Sequence, residues 1–285
     1  DKMLAEGFIM SKGRVIIISI ASVVMVIAAI MLLKSTLEYK RAEAEYSNLA
    51  QYAKVGTGAA SEESAQTEAA ATDSSEEEEG NTLKRNYNRS DFPDMEIDFD
   101  SLEKINGSFV CWLYAPGAEV NHPVVQGQDN EFYLHHTFEM QKNSAGCVFM
   151  DSEVDPALTS WNTFFYGHNM KNGTMFGHLK NYINNKATYD EYPYIYVFRP
   201  EGIYRYEVFS FYLDTPDSKM YYNCQNFKEY RAYLHEADAK SVRECSAKSD
   251  RDKNIVTLVT CSGAGASKQR FFVHGVFKDV YLFEE

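Results

Sequence analysis

The sequence predicts a mostly-β domain, a closed barrel or sandwich with few helices, behind a single N-terminal transmembrane helix. Three observations predict it. Short runs rich in aromatic and β-branched residues, bounded by Gly, Pro, Asn and Asp, recur from Phe109 to Phe277. Only one long stretch among them has helical spacing, so a doubly wound sheet is disfavoured. An uncharged apolar run of nineteen residues lies near the N-terminus. The 285 residues, 45% apolar and 24% charged, exclude a wholly disordered or collagen-like chain. A net charge of -13, from 28 basic and 41 acidic residues without a Lys/Arg-dense block, argues against nucleic acid as a partner.

Residues 1–14 read as a cytoplasmic tail and 15–33 as an uncleaved signal anchor. As a helix the run from Val15 to Leu33 is about 28 Å long, the thickness of a hydrocarbon core. It ends in Leu32, Leu33 and Lys34, not in the small-residue site of a cleaved signal peptide. Lys and Arg balance at its two ends, so the charge rule sets no direction. The placement of the rest of the chain outside the cell leans on the chemistry below. Residues 34–54, with Lys34/Glu38 and Arg41/Glu45 pairs at i,i+4 and no Gly or Pro, read as a helical stalk. Residues 55–83 carry eight acidic and no basic side chains and no aromatic one. With almost nothing to bury, they read as a disordered acidic linker, a spacer lifting the domain off the membrane.

The folded domain is expected over 84–285. Asp100 to Glu103 resembles a capping box opening a short helix that Asn106-Gly107 ends. About eight strands are expected, at Phe109–Tyr114, His122–Val125, Cys147–Met150, Thr163–Tyr166, Tyr194–Arg199, Tyr204–Leu213, Ile255–Thr260 and Phe271–Phe277. Pro200-Glu201-Gly202 reads as a hairpin turn. Asn226 to Ala239 is the expected helix, with Phe227, Tyr230, Tyr233 and Leu234 at helical spacing.

Five cysteines occur, none spaced as CxxC, so neither structural zinc nor any other metal or cofactor is implied. Cys111, Cys147, Cys224 and Cys245 sit in or beside apolar segments or helix flanks and read as small buried hydrophobes. Cys261 differs. It closes an apolar strand and opens a Ser/Gly/Ala loop that leads to Arg270 at the start of the next strand. If those strands pair, thiol and guanidinium share one rim, an electropositive setting that favours thiolate. The base this needs is His168, at the end of an aromatic strand and before an Asn/Gly-rich turn. The other six histidines read as structural or surface residues.

Thr257-Leu-Val-Thr-Cys261 with Arg270 nine residues on, the block Tyr166-Gly-His-Asn-Met170 and the segment Asp129 to His136 together resemble class B sortases over about residues 97–281. The resemblance implies an eight-stranded sortase-type β-barrel and a membrane-tethered cysteine transpeptidase on the outer face of a Gram-positive bacterium. It makes Cys261 the nucleophile, His168 the acid/base and Arg270 the residue that binds the signal and the oxyanion. It assigns Asn130, Leu134 and Tyr221, with the motif threonines Thr257 and Thr260, to the substrate groove. Partners implied are secreted proteins with an NPxTx- or PxTG-like C-terminal sorting signal, and a peptidoglycan precursor or cross-bridge amine. Ser262 and Val259 depart from the acidic residue and serine common at those positions, which bears on substrate preference. A pilin polymerase using a Lys side chain shares the same chemistry. A papain-like peptidase has its Cys before its His, the reverse of this order. A non-catalytic adhesin leaves the Cys, His and Arg unexplained.

Overall fold

The computed structural model describes residues 12–56, 88–170, 172–261 and 269–284. The cytoplasmic tail expected over 1–14 and the acidic segment over 55–83 therefore lie almost wholly outside the described residues. A single helix, α1, runs Lys12–Leu49. Its apolar part is exposed all round and is long and apolar enough to cross a membrane.

Past the apolar run, α1 is not a free stalk. Ala42, Tyr46 and Leu49 repeat every three to four residues and are buried in the same core as the domain, with Tyr46 packed edge-to-face on His122 at 5.1 Å. A short turn leads to β1 (Ala53–Val55), which pairs antiparallel with β2 (Met95–Ile97). The Gly56 N–H adds a bond to the Asp94 carbonyl at 2.8 Å. The described residues on either side of the acidic segment thus meet in one two-stranded sheet. What separates barrel from apolar run is α1 itself, about 14 Å of helix between Leu33 and Ala42.

The short helix α2 (Phe99–Ile105) is capped by Asp98, whose carboxylate accepts from Ser101 N–H at 3.0 Å, two residues before the expected box. The eight expected strands follow. They are β3 (Phe109–Ala115), β4 (Val120–Gln126), β5 (Phe149–Met150) and β6 (Asn162–His168), then, after two short helices α3 (Asn181–Asn184) and α4 (Lys186–Glu191), β7 (Tyr194–Arg199) and β8 (Gly202–Asp214). Helix α5 (Phe227–Lys240) precedes β9 (Ile255–Cys261) and β10 (Arg270–Leu282). Asn226 caps α5 through Glu229 N–H at 3.0 Å, and Tyr230, Tyr233, Leu234 and Ala237 form its buried face. The strands close into a barrel in the order β10-β8-β7-β3-β4-β5-β6-β9. Pairing is antiparallel except between β4 and β5 and between β6 and β9. Trp112, Phe164, Phe165, Phe198, Tyr206 and Tyr212 are fully buried, in the barrel or under the elements packed on it. Burial of such side chains contributes roughly 1.5–3 kcal/mol each and dominates the barrel's stability. At Gly275 an added Cβ would come within 2.9 Å of the Tyr206 Cβ, so this crossing of β10 over β8 needs glycine.

Candidate active site

The parallel pair β6–β9 is the scaffold of the site. Its register runs from Asn162↔Ile255 to His168↔Cys261, so the last residues of both strands are partners at one rim. On the other side of β9, β10 pairs antiparallel with Phe272↔Val259. β10 begins at Arg270, two residues before that pair, so Arg270 lies at the same end of the barrel as Cys261, the last residue of β9. Thr260 reinforces this end, its hydroxyl accepting from Phe271 N–H at 2.9 Å.

The chain after His168 folds back over its own strand. The His168 carbonyl accepts from Met170 and Phe176 N–H at 3.1 and 3.0 Å. Phe176 then lies on Gly167, where a Cβ would meet its ring at 2.8 Å, so the glycine before the histidine makes room for the turn that covers it. The imidazole Nε2 lies 2.8 Å from the Leu134 carbonyl oxygen. A carbonyl only accepts, so Nε2 carries the proton and is the donor.

His168 and Arg270 line a cleft of about 540 Å³ together with Asn130, Leu134, Tyr221 and Thr260. Phe149, Tyr166, Asp217 and Ser218 complete much of its wall. The Asn130 amide is held on both sides, Nδ2 donating to Asp151 at 3.0 Å and Oδ1 accepting from Ser152 N–H at 2.8 Å. Tyr166 donates its phenol proton to the same Asp151 carboxylate at 2.9 Å. Asp151 is a residue the sequence reading missed. It is buried behind the wall, and nothing local in Met150-Asp151-Ser152 distinguishes it from a strand-end turn. Below Arg270, its register partner Asp214 holds Ser218 at 2.7 Å and Lys240 at 3.2 Å. Burial raises the Asp214 carboxyl, but hydrogen bonds from Ser218 and Thr215 with the Lys240 charge outweigh it and leave it below its ordinary value.

Thr257 is not part of the cleft lining. It is fully buried between the sheet and α5, where its hydroxyl donates to Asn162 Oδ1 at 2.7 Å and lies 2.9 Å from His274 Nδ1. Its one proton being spent on Asn162, it accepts from Nδ1–H, and His274 Nε2 accepts from the Tyr212 hydroxyl at 3.0 Å. The reason is depth. Thr257 shares a face of β9 with Cys261, but four residues below the strand end that face is covered by α5 and the neighbouring strands instead of opening to the mouth. The loop 262–268, with Ser262, lies outside the described residues. Cys111, Cys147, Cys224 and Cys245 are all buried free thiols, and burial pushes Cys224 up to about 11. No cluster of metal-ligating side chains occurs among the described residues.

The sortase domain family model matches residues 113–278, more than half of the chain. The chain belongs to the sortase family. Among its relatives, sortase B of Staphylococcus aureus is 34% identical over 167 residues, spanning 58% of this chain and 68% of that one. A Staphylococcus aureus sortase B–substrate complex superposes with a TM-score of 0.59 at 32% identity, covering 64% of this chain and 84% of that one. Sortase B of Clostridium perfringens gives the same TM-score and identity, over 63% and 99%. This sortase is thus of class B, and sortases are cysteine transpeptidases. The match begins within β3 and ends within β10, so α1 and the β1–β2 sheet lie outside the matched domain.

Proposed function

We propose that this sortase cleaves the C-terminal sorting signal of a secreted protein after Thr, holds the acyl group on Cys261 as a thioester, and transfers it to a peptidoglycan amine on the outer face of a Gram-positive cell. The observation that carries this reading is the register partnership of His168 and Cys261 across β6 and β9, with Arg270 opening the strand on the other side. The Arg270 guanidinium favours the thiolate. The thiolate attacks the Thr carbonyl, the C–S bond forms, and the carbonyl electrons move to oxygen, where the same guanidinium donates to the oxyanion. His168, its ring fixed by the Nε2–H bond to Leu134, gives the proton on Nδ1 to the leaving nitrogen as the C–N bond breaks. An incoming amine then attacks the thioester and returns a proton to Nδ1, and the thiolate leaves. Asn130, Leu134, Tyr221 and Thr260 contact the signal, its NPxTx- or PxTG-like core lying in the cleft. The apolar part of α1, residues 15–33, is the anchor, with 1–14 in the cytoplasm and the barrel outside.

The test uses the detergent-solubilised full chain and fluorogenic peptides with NPQTN-, SPxTG- and LPxTG-like cores, with and without an added amine. Cleavage after Thr, with product joined to the amine, is expected in wild type. It falls to background in Cys261→Ala, and Arg270→Ala lowers kcat about 100- to 1,000-fold. Cleavage that survives Cys261→Ala would remove the nucleophile assignment.

A further inference from the structure

One loop touches both the candidate base and the anchor helix. Its Leu134 carbonyl bonds His168 Nε2 at 2.8 Å, and Leu134 and His135 line the cleft. From there the chain turns back on itself. His136 bridges Lys142, Asn143 N–H donates to the His135 carbonyl at 2.8 Å, and Cys147 N–H donates to the Tyr133 carbonyl at 3.0 Å. Gly146, at φ +58°, brings the returning arm so close that a Cβ there would stand 2.6 and 2.8 Å from the Tyr133 and Leu134 oxygens. No other residue type fits that approach in the left-handed region. The two arms therefore move together.

Helix α1 grips the outer arm. The Asn143 amide donates to the Glu38 carbonyl at 2.8 Å, the Ser144 hydroxyl to the Glu38 carboxylate at 2.7 Å, and the Glu139 N–H to the Glu45 carboxylate at 2.9 Å. Glu38 and Glu45 are seven residues apart, two helical turns, on the side where Ala42 and Tyr46 are buried. A surface helix needs none of these bonds for its own stability, and they converge on one loop.

We propose that Glu38 and Glu45 of the anchor helix are positioning residues for transpeptidation, clamping the loop 132–147 so that the Leu134 carbonyl orients the His168 imidazole. The inference rests on the reading of His168 as the acid/base. It couples membrane attachment to catalysis, because the element that crosses the bilayer is the one that holds the loop behind the base.

The experiment uses the full chain in detergent with selectively labelled histidine, comparing Glu38→Ala/Glu45→Ala, Glu38→Gln/Glu45→Gln and the exposed Glu43→Ala on the same helix. Peptide kinetics and an NMR titration of the His168 imidazole are read together. Expected are a fall in kcat of about tenfold in the double alanine variant, with KM within about twofold and a displaced His168 titration, as follows when hydrogen bonds behind the base are lost. The glutamine pair keeps the acceptor oxygens and recovers most of kcat, and Glu43→Ala matches wild type. Wild-type kcat with an unmoved His168 titration in the double alanine variant overturns the clamp. So does a kcat loss with the titration unmoved, or a loss as large in the glutamine pair. A His168→Ala variant with wild-type kcat overturns the active-site reading instead, and the titration reports on the clamp independently of it.

Discussion

His274, midway along β10, and His168, at the end of β6, have register partners four residues apart on the same strand, Thr257 and Cys261 of β9. At His274 both ring nitrogens are engaged in the layer packed between the sheet and α5, with Thr257 and Tyr212, and the ring is fully buried. Burial pushes its pKa down to about 3. At His168 Nε2 is tied to the Leu134 carbonyl, and the residue lines a cleft that Arg270 also lines. The same side chain is a neutral structural connector at one depth of the strand and a candidate proton carrier at another. What differs is whether the second face of the ring meets packed side chains or a mouth that admits substrate.

The most severe way to break this contrast is to remove each ring in turn. His168→Gln is expected to lower kcat about 100- to 10,000-fold with little change in thermal midpoint, the range of a lost general acid/base. His274→Gln leaves kcat within about threefold and lowers the midpoint. Peptide turnover and calorimetry on both variants decide it, and a larger kcat loss at His274 would invert the assignment.

A smaller effect is expected at the partner of the buried ring. Thr257→Val preserves shape but takes the acceptor from His274 Nδ1–H and the donor from Asn162, so about 1–3 kcal/mol of stability is lost. Denaturant unfolding measures it. The cleft is not touched, so KM for the peptide stays unchanged; a raised KM at unchanged stability would return Thr257 to the substrate contacts.

A further expected signal is in pH. His274, with a folded pKa of about 3, and His122, also buried and pushed down to about 4, remain neutral in the fold over a range where the unfolded chain binds their protons. Stability is therefore full above the ordinary histidine value of about 6.5 and falls as pH drops below it, by up to about 1.4 kcal/mol per pH unit for each group, until the folded value is reached. Unfolding midpoints between about pH 7 and pH 5 should decline in wild type and less steeply in His274→Gln. Equal slopes would mean that the buried ring is solvated or charged in the fold.

Much of this was written in local sequence. Alternation and turn residues marked the eight barrel strands, and the Pro200–Gly202 turn and the α5 periodicity needed no partner to be recognised. The three-residue strands β1 and β2 were too short to show a period. The cap of α2 moved from Asp100 to Asp98 because Ser101 N–H faces the earlier carboxylate. Cys261, His168 and Arg270 stood out because each sits where an apolar run meets a loop, which is a property of the chain alone. Asp151 and Thr257 did not sort correctly by sequence, since one gains its role from Asn130 and Tyr166 meeting behind the cleft wall and the other lies below the rim.

The sequence by itself determined the alphabet of elements, the long apolar run near the N-terminus and the residue types able to do thiol chemistry, because periodicity, length and residue identity are local quantities. Only the tertiary structure decided that β6 runs parallel to β9, so that strand ends 93 residues apart become neighbours. It also decided that α1 docks on the barrel and that β1 pairs with β2. Those are outcomes of which apolar surfaces find each other, and a stripe such as Ala42, Tyr46 and Leu49 announces that it will be covered without saying by what.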